Sequence, residues 1–206
     1  MKIIVIGDVH GDYDILREIQ KHTDGDLYLQ VGDLSGDSLA RYPSLEKPLL
    51  FISGNKENAD ILYKDLNHYD KFLIKDNLWY LPNGCDTVWD GVRILGVGGI
   101  YSPKDFFKHK KDLQGRRRLH YTYREILQAL ACHGRIDILL THEAPCPFMV
   151  SGKFMTDRGR PEIAKLDYAL QPMYHFFGHH HVATNSFVHH TNTRCIPRNS
   201  VVGIEI

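Results

Sequence analysis

Apolar residues recur along this chain in two rhythms. Short unbroken runs that stop at glycine come first: "KIIVIG" (2–7), "DLYLQVGD" (26–33) and "PLLFISGN" (48–55). "IDILLTHEAP" (136–145) repeats the form but ends in Thr-His. Continuous runs of this length, rich in Ile, Leu and Val, predict strands buried on both faces. The second rhythm is helical. "YDILREIQKH" (13–22) sets Ile15, Leu16 and Ile19 on one face, and a helix from about Tyr121 sets Tyr123, Ile126, Leu127 and Leu130 at helical spacing. Between them "CDTVWDGVRILGVGGIY" (85–101) predicts a hairpin turning at Asp90-Gly91. Towards the end "YHFF", "VATNSFV", "SFVHH" and "SVVGIEI" predict strands, an antiparallel run closing the fold. Alternating strands and helices early, with hairpins later, predict an α/β fold with helices packed outside a sheet core.

Composition narrows the class. The 206 residues predict a single domain, 1–206, large enough for a substantial core. Formal net charge is zero, which gives no global attraction to nucleic acid or anionic membrane. The opening "MKIIVIGD" meets an acid too soon for a signal peptide, and no apolar stretch is long enough to span a bilayer. Cys85, Cys132, Cys146 and Cys195 are scattered, without the close pairs of a zinc finger. Reduced thiols and a cytoplasmic location are the expectation.

The polar residues at the strand ends carry the candidate chemistry. They are Asp8 and His10 in "GDVHGD", Asp33 in "VGDLSGD", Asn55 in "SGNKEN", His142 in "THEAP", and His179 with His181 in "GHHH". If the backbone of the last block is extended, His179 and His181 share a side and His180 faces away. Gly178 permits close approach of the backbone to a ligand. Carboxylates and imidazoles suit divalent Mn, Fe or Zn, and seven such groups exceed the need of one ion. Each also has a plainer reading. The histidines can form a surface triplet, Asp8 or Asp33 can cap a helix, His142 can be a satisfied core residue, and Asn55 can be a turn residue.

The ordered series "GDVHGD", "GD", "GNKE", "TH" and "GHHH" resembles the signature of the calcineurin-like metallophosphoesterases, over almost the whole chain. The resemblance implies a four-layer α-β-β-α sandwich of two mixed sheets flanked by helices, with two divalent metals at one edge. It implies Asp8, His10, Asp33 and His181 as ligands of one metal, and Asp33, Asn55, His142 and His179 as ligands of the other, with Asp33 bridging. His180 has no counterpart among the ligands. The implied activity is hydrolysis of phosphate esters, with a hydroxide held between the metals as nucleophile and manganese as the leading candidate ion.

One departure bears on catalysis. The family block is Gly-Asn-His-Glu/Asp, whereas here "GNKEN" puts Asn55 and Lys56 at that catalytic position. A lysine ammonium stabilises phosphoryl charge but is a weak proton donor unless its pKa is lowered. The alternative is that Lys56 points to solvent. The layout from "GVRILGVGGIYSPKDF" through "GRRRLHYTYREILQAL" to "DILLTHEAP" is similar to that of RNA lariat debranching enzymes, although those often carry Cys where this chain has Asp8. Arg116, Arg117 and Arg118 are either a phosphate-contacting rim or a solvated loop. Tyr121 and Tyr123 either stack on a base or pack a helix, with Tyr123 at core spacing. The expected function is a phosphoesterase favouring phosphodiesters, with a small phosphate ester or a nucleic acid as substrate. Its rivals are a scaffold protein on the same fold and a closed structural metal site.

Overall fold

The computed structural model of the chain describes residues 1–35, 42–63, 70–146, 149–151, 155–157, 159–188 and 190–206. In chain order its elements begin with β1 (Lys2–Ile6), α1 (Tyr13–His22), β2 (Leu27–Gln30), β3 (Leu49–Phe51), α2 (Ala59–Leu62), β4 (Phe72–Lys75) and β5 (Leu78–Tyr80). There follow β6 (Cys85–Trp89), β7 (Val92–Val97), α3 (Tyr123–Leu130), β8 (Ile138–Thr141), β9 (Met149–Ser151) and β10 (Met155–Asp157). The last are α4 (Pro161–Leu170), β11 (Tyr174–Phe177), β12 (Thr184–Val188), β13 (Thr191–Cys195) and β14 (Val201–Glu205).

Two sheets of six strands share one plan. The first runs β14-β1-β2-β3-β5-β4 and the second β12-β13-β11-β8-β7-β6. In each, four parallel strands are bordered on both edges by an antiparallel one. The unbroken apolar runs lie among the parallel strands: β2, β3 and β8 are buried at every position. Edge strand β4 instead alternates between half-buried and exposed residues, as expected for a strand with one wet face.

One cluster, including Ile3, Val5, Leu29, Leu50, Ile94, Leu140 and Phe176, fills the space between the sheets. A second packs Leu16 of α1 and Leu62 of α2 on the outer face of the first sheet. A third packs Ile126 of α3 with Ile163 and Leu166 of α4 on the outer face of the second. The result is the four-layer sandwich. Because the parallel strands of each sheet point one way, the loops after β1, β2, β3, β8 and β11 all emerge at strand carboxyl ends, where open α/β sheets assemble their sites.

The Asp90-Gly91 hairpin is present, with both turn residues at positive φ, as a tight two-residue turn between strands requires. Three expectations need correction. "SFVHH" and "SVVGIEI" do not pair with each other: β12 pairs with β13, while β14 crosses to the other sheet and flanks β1. His189 lies outside the described residues. The third helix starts at Tyr123, because Glu125 reaches back to the Thr122 N–H at 2.7 Å and closes a capping box. Consequently Tyr123 and Leu127 lie on a half-exposed face, 42% and 45% exposed, while Tyr121 is fully buried with its hydroxyl donating to Glu143 at 3.0 Å. Tyr121 is thus unavailable for base stacking.

The segment from β7 to α3 is organised by Asp105. Its carboxylate receives Arg117 Nε at 3.1 Å and a second bond from Arg117 Nη2, with His120 Nδ1 at 2.8 Å and Lys108 Nζ at 3.2 Å. Arg117 first of all, with His120 and Lys108 adding to it against the opposing effect of burial, holds the Asp105 carboxyl well below the usual carboxylate range. A carboxyl depressed in the folded state contributes its full stability above the unfolded value, about 4, and loses it as pH falls below that value. Asp105→Asn is expected to lower the melting temperature by a few degrees at pH 7, and the gap from wild type is expected to narrow below about pH 4. An equal gap at pH 7 and pH 3 would show that the ionised carboxylate is not what matters.

Candidate metal centre

Every strand-end residue singled out above reaches one cleft, by a backbone route that alternation does not describe. His10, Asp33, His179 and His181 all have positive φ, at 54°, 55°, 64° and 57°. The "GHHH" block is therefore a loop with left-handed residues rather than extended strand, which corrects the alternation reading. Left-handed non-glycine residues are strained and concentrate at functional sites.

Asp8 follows β1 and is fully buried. Its Oδ1 accepts the His179 N–H at 3.1 Å, a link from the first sheet to the second. Gly178 makes this approach possible, since a Cβ there would sit 2.2 Å from Asp8 Oδ1. The other oxygen, Oδ2, lies 3.0 Å from His181 Nε2 and 3.7 Å from His10 Nε2, and the two imidazole nitrogens are 3.4 Å apart. Asp8, His10 and His181 thus form a three-donor group.

Asp33 follows β2 and faces both ways. Its Oδ2 is 3.7 Å from His10 Nδ1 and its Oδ1 is 3.7 Å from His142 Nε2. Oδ1 also accepts the Lys56 main-chain N–H at 2.8 Å. Asp8, Asp33 and His142 make a second group of three. Asn55 Oδ1 is 3.4 Å from His142 Nε2. His179 belongs to neither group, although its ring stands 4.9 Å from that of His142. His180 packs its ring near those of His179 and Phe177.

His142 is oriented from behind. Its Nδ1 is 2.8 Å from the Val31 carbonyl, an acceptor only, so Nδ1 carries a proton and Nε2 faces the cleft. Burial opposes protonation of the ring, but the Asp33 and Asp8 carboxylates outweigh it and raise its pKa. Burial first, and then the charge of His142, hold His179 down to about 3, so this imidazole is neutral at ordinary pH. Burial works against the charge on Asp8, but the His181 contact, His142 and the His179 N–H outweigh it and lower its pKa.

Glu57, quoted within "GNKE" but given no role by the sequence, fastens two of the loops together. It accepts the Leu34 N–H at 2.8 Å and the Gly54 N–H at 2.6 Å, joining the loop after β2 to the loop after β3. Burial, and next the charge of Asp33, push its carboxyl up to about 8. Of the three consecutive arginines, Arg117 is held by Asp105 and Arg118 donates to the Leu113 carbonyl at 2.9 Å. Arg116 reaches the cleft rim, donating to the Asn55 main-chain carbonyl at 3.1 Å.

Residues 1–183 match the calcineurin-like phosphoesterase family. The chain belongs to that family. Among curated relatives, the lariat debranching enzyme of Drosophila melanogaster is 28% identical over 244 residues, which cover 94% of this chain and 45% of that protein. The Schizosaccharomyces pombe lariat debranching enzyme is 26% identical over 219 residues, covering 92% of this chain and 45% of the relative. This chain therefore spans less than half the length of these relatives. Two solved structures share the fold. One has a TM-score of 0.68 at 14% identity, covering 96% of this chain and 90% of the other. The second, a protein of Thermus thermophilus, has 0.62 at 15% identity, covering 97% and 90%. Among the described residues no helix is long and apolar enough to cross a membrane. All four cysteines are free.

The residues fit a divalent cation. Ligand atoms about 2.1 Å from one ion stand roughly 3–3.4 Å from each other, and the Asp8, His10 and His181 atoms are 3.0–3.7 Å apart. Asp8 Oδ2 is buried and makes no hydrogen bond despite its closeness to His181. A buried carboxylate oxygen in that condition is costly unless a cation meets it.

Removal of the Glu57 clamp tests how far the loops depend on each other. Glu57→Ala is expected to weaken Mn²⁺ binding about 10–100-fold, the usual effect of losing a group that orients ligands, with Glu57→Gln in between. Competition against a metal indicator measures it. Affinity equal to wild type would show that each loop holds its ligand unaided.

Proposed function

We propose that this chain is a metal-dependent phosphoesterase acting on phosphodiesters, with two divalent ions, manganese as the leading candidate, and Asp33 shared between them. The observation that carries the proposal is the meeting of two three-donor groups in one cleft, Asp8 with His10 and His181 and Asp8 with Asp33 and His142. In this reading Asp8, His10 and His181 hold one ion, Asn55, His142 and His179 hold the other, and residues 1–206 act as one domain. A pair of divalent ions supplies neutralisation of phosphoryl charge and an acidified water as nucleophile.

The chain's own contribution is placement. The Val31 carbonyl fixes the His142 tautomer, and the His179 N–H holds Asp8. The Lys56 N–H on Asp33 Oδ1 sets residue 56 beside the shared carboxylate. From there a lysine ammonium is suited to stabilise charge on the phosphoryl oxygens, in place of the family histidine. The preference for diesters is supported by the similarity to proteins named lariat debranching enzymes, and a nucleic acid is the candidate natural substrate. The replacement of that histidine by Lys56 favours one second reading, a catalytically weak scaffold on the same fold.

Hydrolysis of bis-p-nitrophenyl phosphate and p-nitrophenyl phosphate with Mn²⁺ separates the two. Wild type is expected to turn over the diester faster than the monoester. Asp33→Asn should cut turnover roughly a hundredfold or more. Lys56→Ala should lower kcat about 10²-fold, the scale of one lost transition-state donor, with Lys56→His restoring part of it. Metal-loaded protein that hydrolyses neither ester would support the scaffold instead.

A further inference from the structure

Arg198 has no part in the reading above, yet its placement is unusual. It occupies the second position of a turn, Pro197 to Ser200, closed by the Ser200 N–H donating to the Pro197 carbonyl at 3.2 Å. Asn199 takes φ 54°, the left-handed conformation that type II turns need at their third residue and that Asn tolerates. The turn is fastened to the strand end that carries Asp8. The Asn199 N–H donates to the Asp8 main-chain carbonyl at 2.9 Å, and the Gly7 N–H donates to the Ser200 carbonyl at 3.0 Å. Contact is so close that a Cβ on Gly7 would lie 2.0 Å from the Pro197 carbonyl oxygen. Asp8 and the turn therefore move as one piece.

Several other guanidinium groups among the described residues are committed internally: Arg93 to Asp86 at 2.6 Å, Arg117 to Asp105, and Arg160 to Glu143 at 3.0 Å. Arg198 is exposed, and among the described residues its side chain has no hydrogen bond or carboxylate partner. Because the Asn199 N–H holds the Asp8 main-chain carbonyl, the Arg198 backbone stands beside the cleft. A cation without an internal counterion, carried on the backbone of a cleft residue, is arranged for an anion that arrives from solution.

We propose that Arg198 is a specificity-determining residue that grips a non-bridging oxygen of the substrate's phosphoryl group from the Asp8 side of the cleft. This rests on the phosphoesterase reading. A planar fork of donors matches a phosphoryl group better than a lysine point charge, so the two are not interchangeable at this position.

The test uses Mn²⁺-loaded wild type, Arg198→Gln, Arg198→Lys and Arg135→Gln. Arg135 pairs with Asp137 just before β8, at the strand end opposite His142, and controls for net charge. Inorganic phosphate binding is measured by calorimetry, metal content by elemental analysis, and kcat and KM with bis-p-nitrophenyl phosphate. Arg198→Gln is expected to weaken phosphate binding about tenfold and raise KM by a similar factor. Its kcat and metal content should stay within about twofold of wild type, Arg198→Lys should recover part of the loss, and Arg135→Gln should match wild type. Unchanged phosphate affinity in Arg198→Gln, an equal loss in Arg135→Gln, or loss of metal from Arg198→Gln would each overturn the proposal. Because phosphate binding is read without turnover, the two failures are distinguishable: a wild type that binds phosphate through Arg198 but hydrolyses nothing would defeat the phosphoesterase reading, and with it the substrate role, while leaving Arg198 as a phosphate contact.

Discussion

Three carboxyl groups, Asp8, Asp33 and Glu57, are withdrawn from water in one cleft, and the surrounding structure is shaped by the need to satisfy them. Taking an ionised carboxylate out of water costs several kcal/mol unless hydrogen bonds and opposite charge offset it; Glu57, its carboxyl pushed up to about 8, also meets the cost by holding a proton. Main-chain N–H groups supply much of that offset. His179 serves Asp8, Lys56 serves Asp33, and Leu34 and Gly54 serve Glu57. Each donor lies on a different loop from its acceptor, except for Gly54. Solving the electrostatic problem therefore also ties the loops together. Two ties, His179 to Asp8 and His142 to the Val31 carbonyl, cross from one sheet to the other.

The same demand explains the strained backbone. Four cleft residues, His10, Asp33, His179 and His181, adopt left-handed conformations. Such conformations cost on the order of 1 kcal/mol or more each and survive only where neighbours hold them. Here the neighbours are the cleft's own hydrogen bonds, including the His10 N–H to the Asp33 carbonyl at 2.8 Å. Glycine would relieve the strain but supply no donor atom to the cleft.

Much of this was legible in the sequence. The runs that became β1, β2, β3 and β8 are buried, apolar and terminated by glycine or threonine, so their type and polarity could be read locally. The five motifs contain the seven strand-end residues that meet in the cleft. What escaped was non-local. Strands β4, β5 and β13 are short or polar and take their form from neighbours, with "TNTRC" held between β11 and β12. The parting of β12 and β14 into different sheets leaves no local trace. Glu57 was visible as a letter in a motif, but its role exists only once two loops meet. Tyr121 and Tyr123 exchanged their expected burial because a capping box moved the helix start by two residues. The "GHHH" loop was read as strand because flanking strands dominate the pattern, whereas positive φ at two histidines is dictated by contacts from Asp8 and His142.

The cross-sheet ties have a thermodynamic consequence. Donors from β1 and β2 in one sheet and from β8 and β11 in the other converge on the same small volume, so a cation held there binds both halves of the sandwich and has no comparable site in the unfolded chain. Mass action then makes that cation a folding partner: at a free concentration a hundred times its dissociation constant it adds about 2.7 kcal/mol to the stability of the native state. In this reading the protein's resistance to unfolding varies with the metal in its surroundings, and the cleft couples catalytic readiness to the survival of the fold.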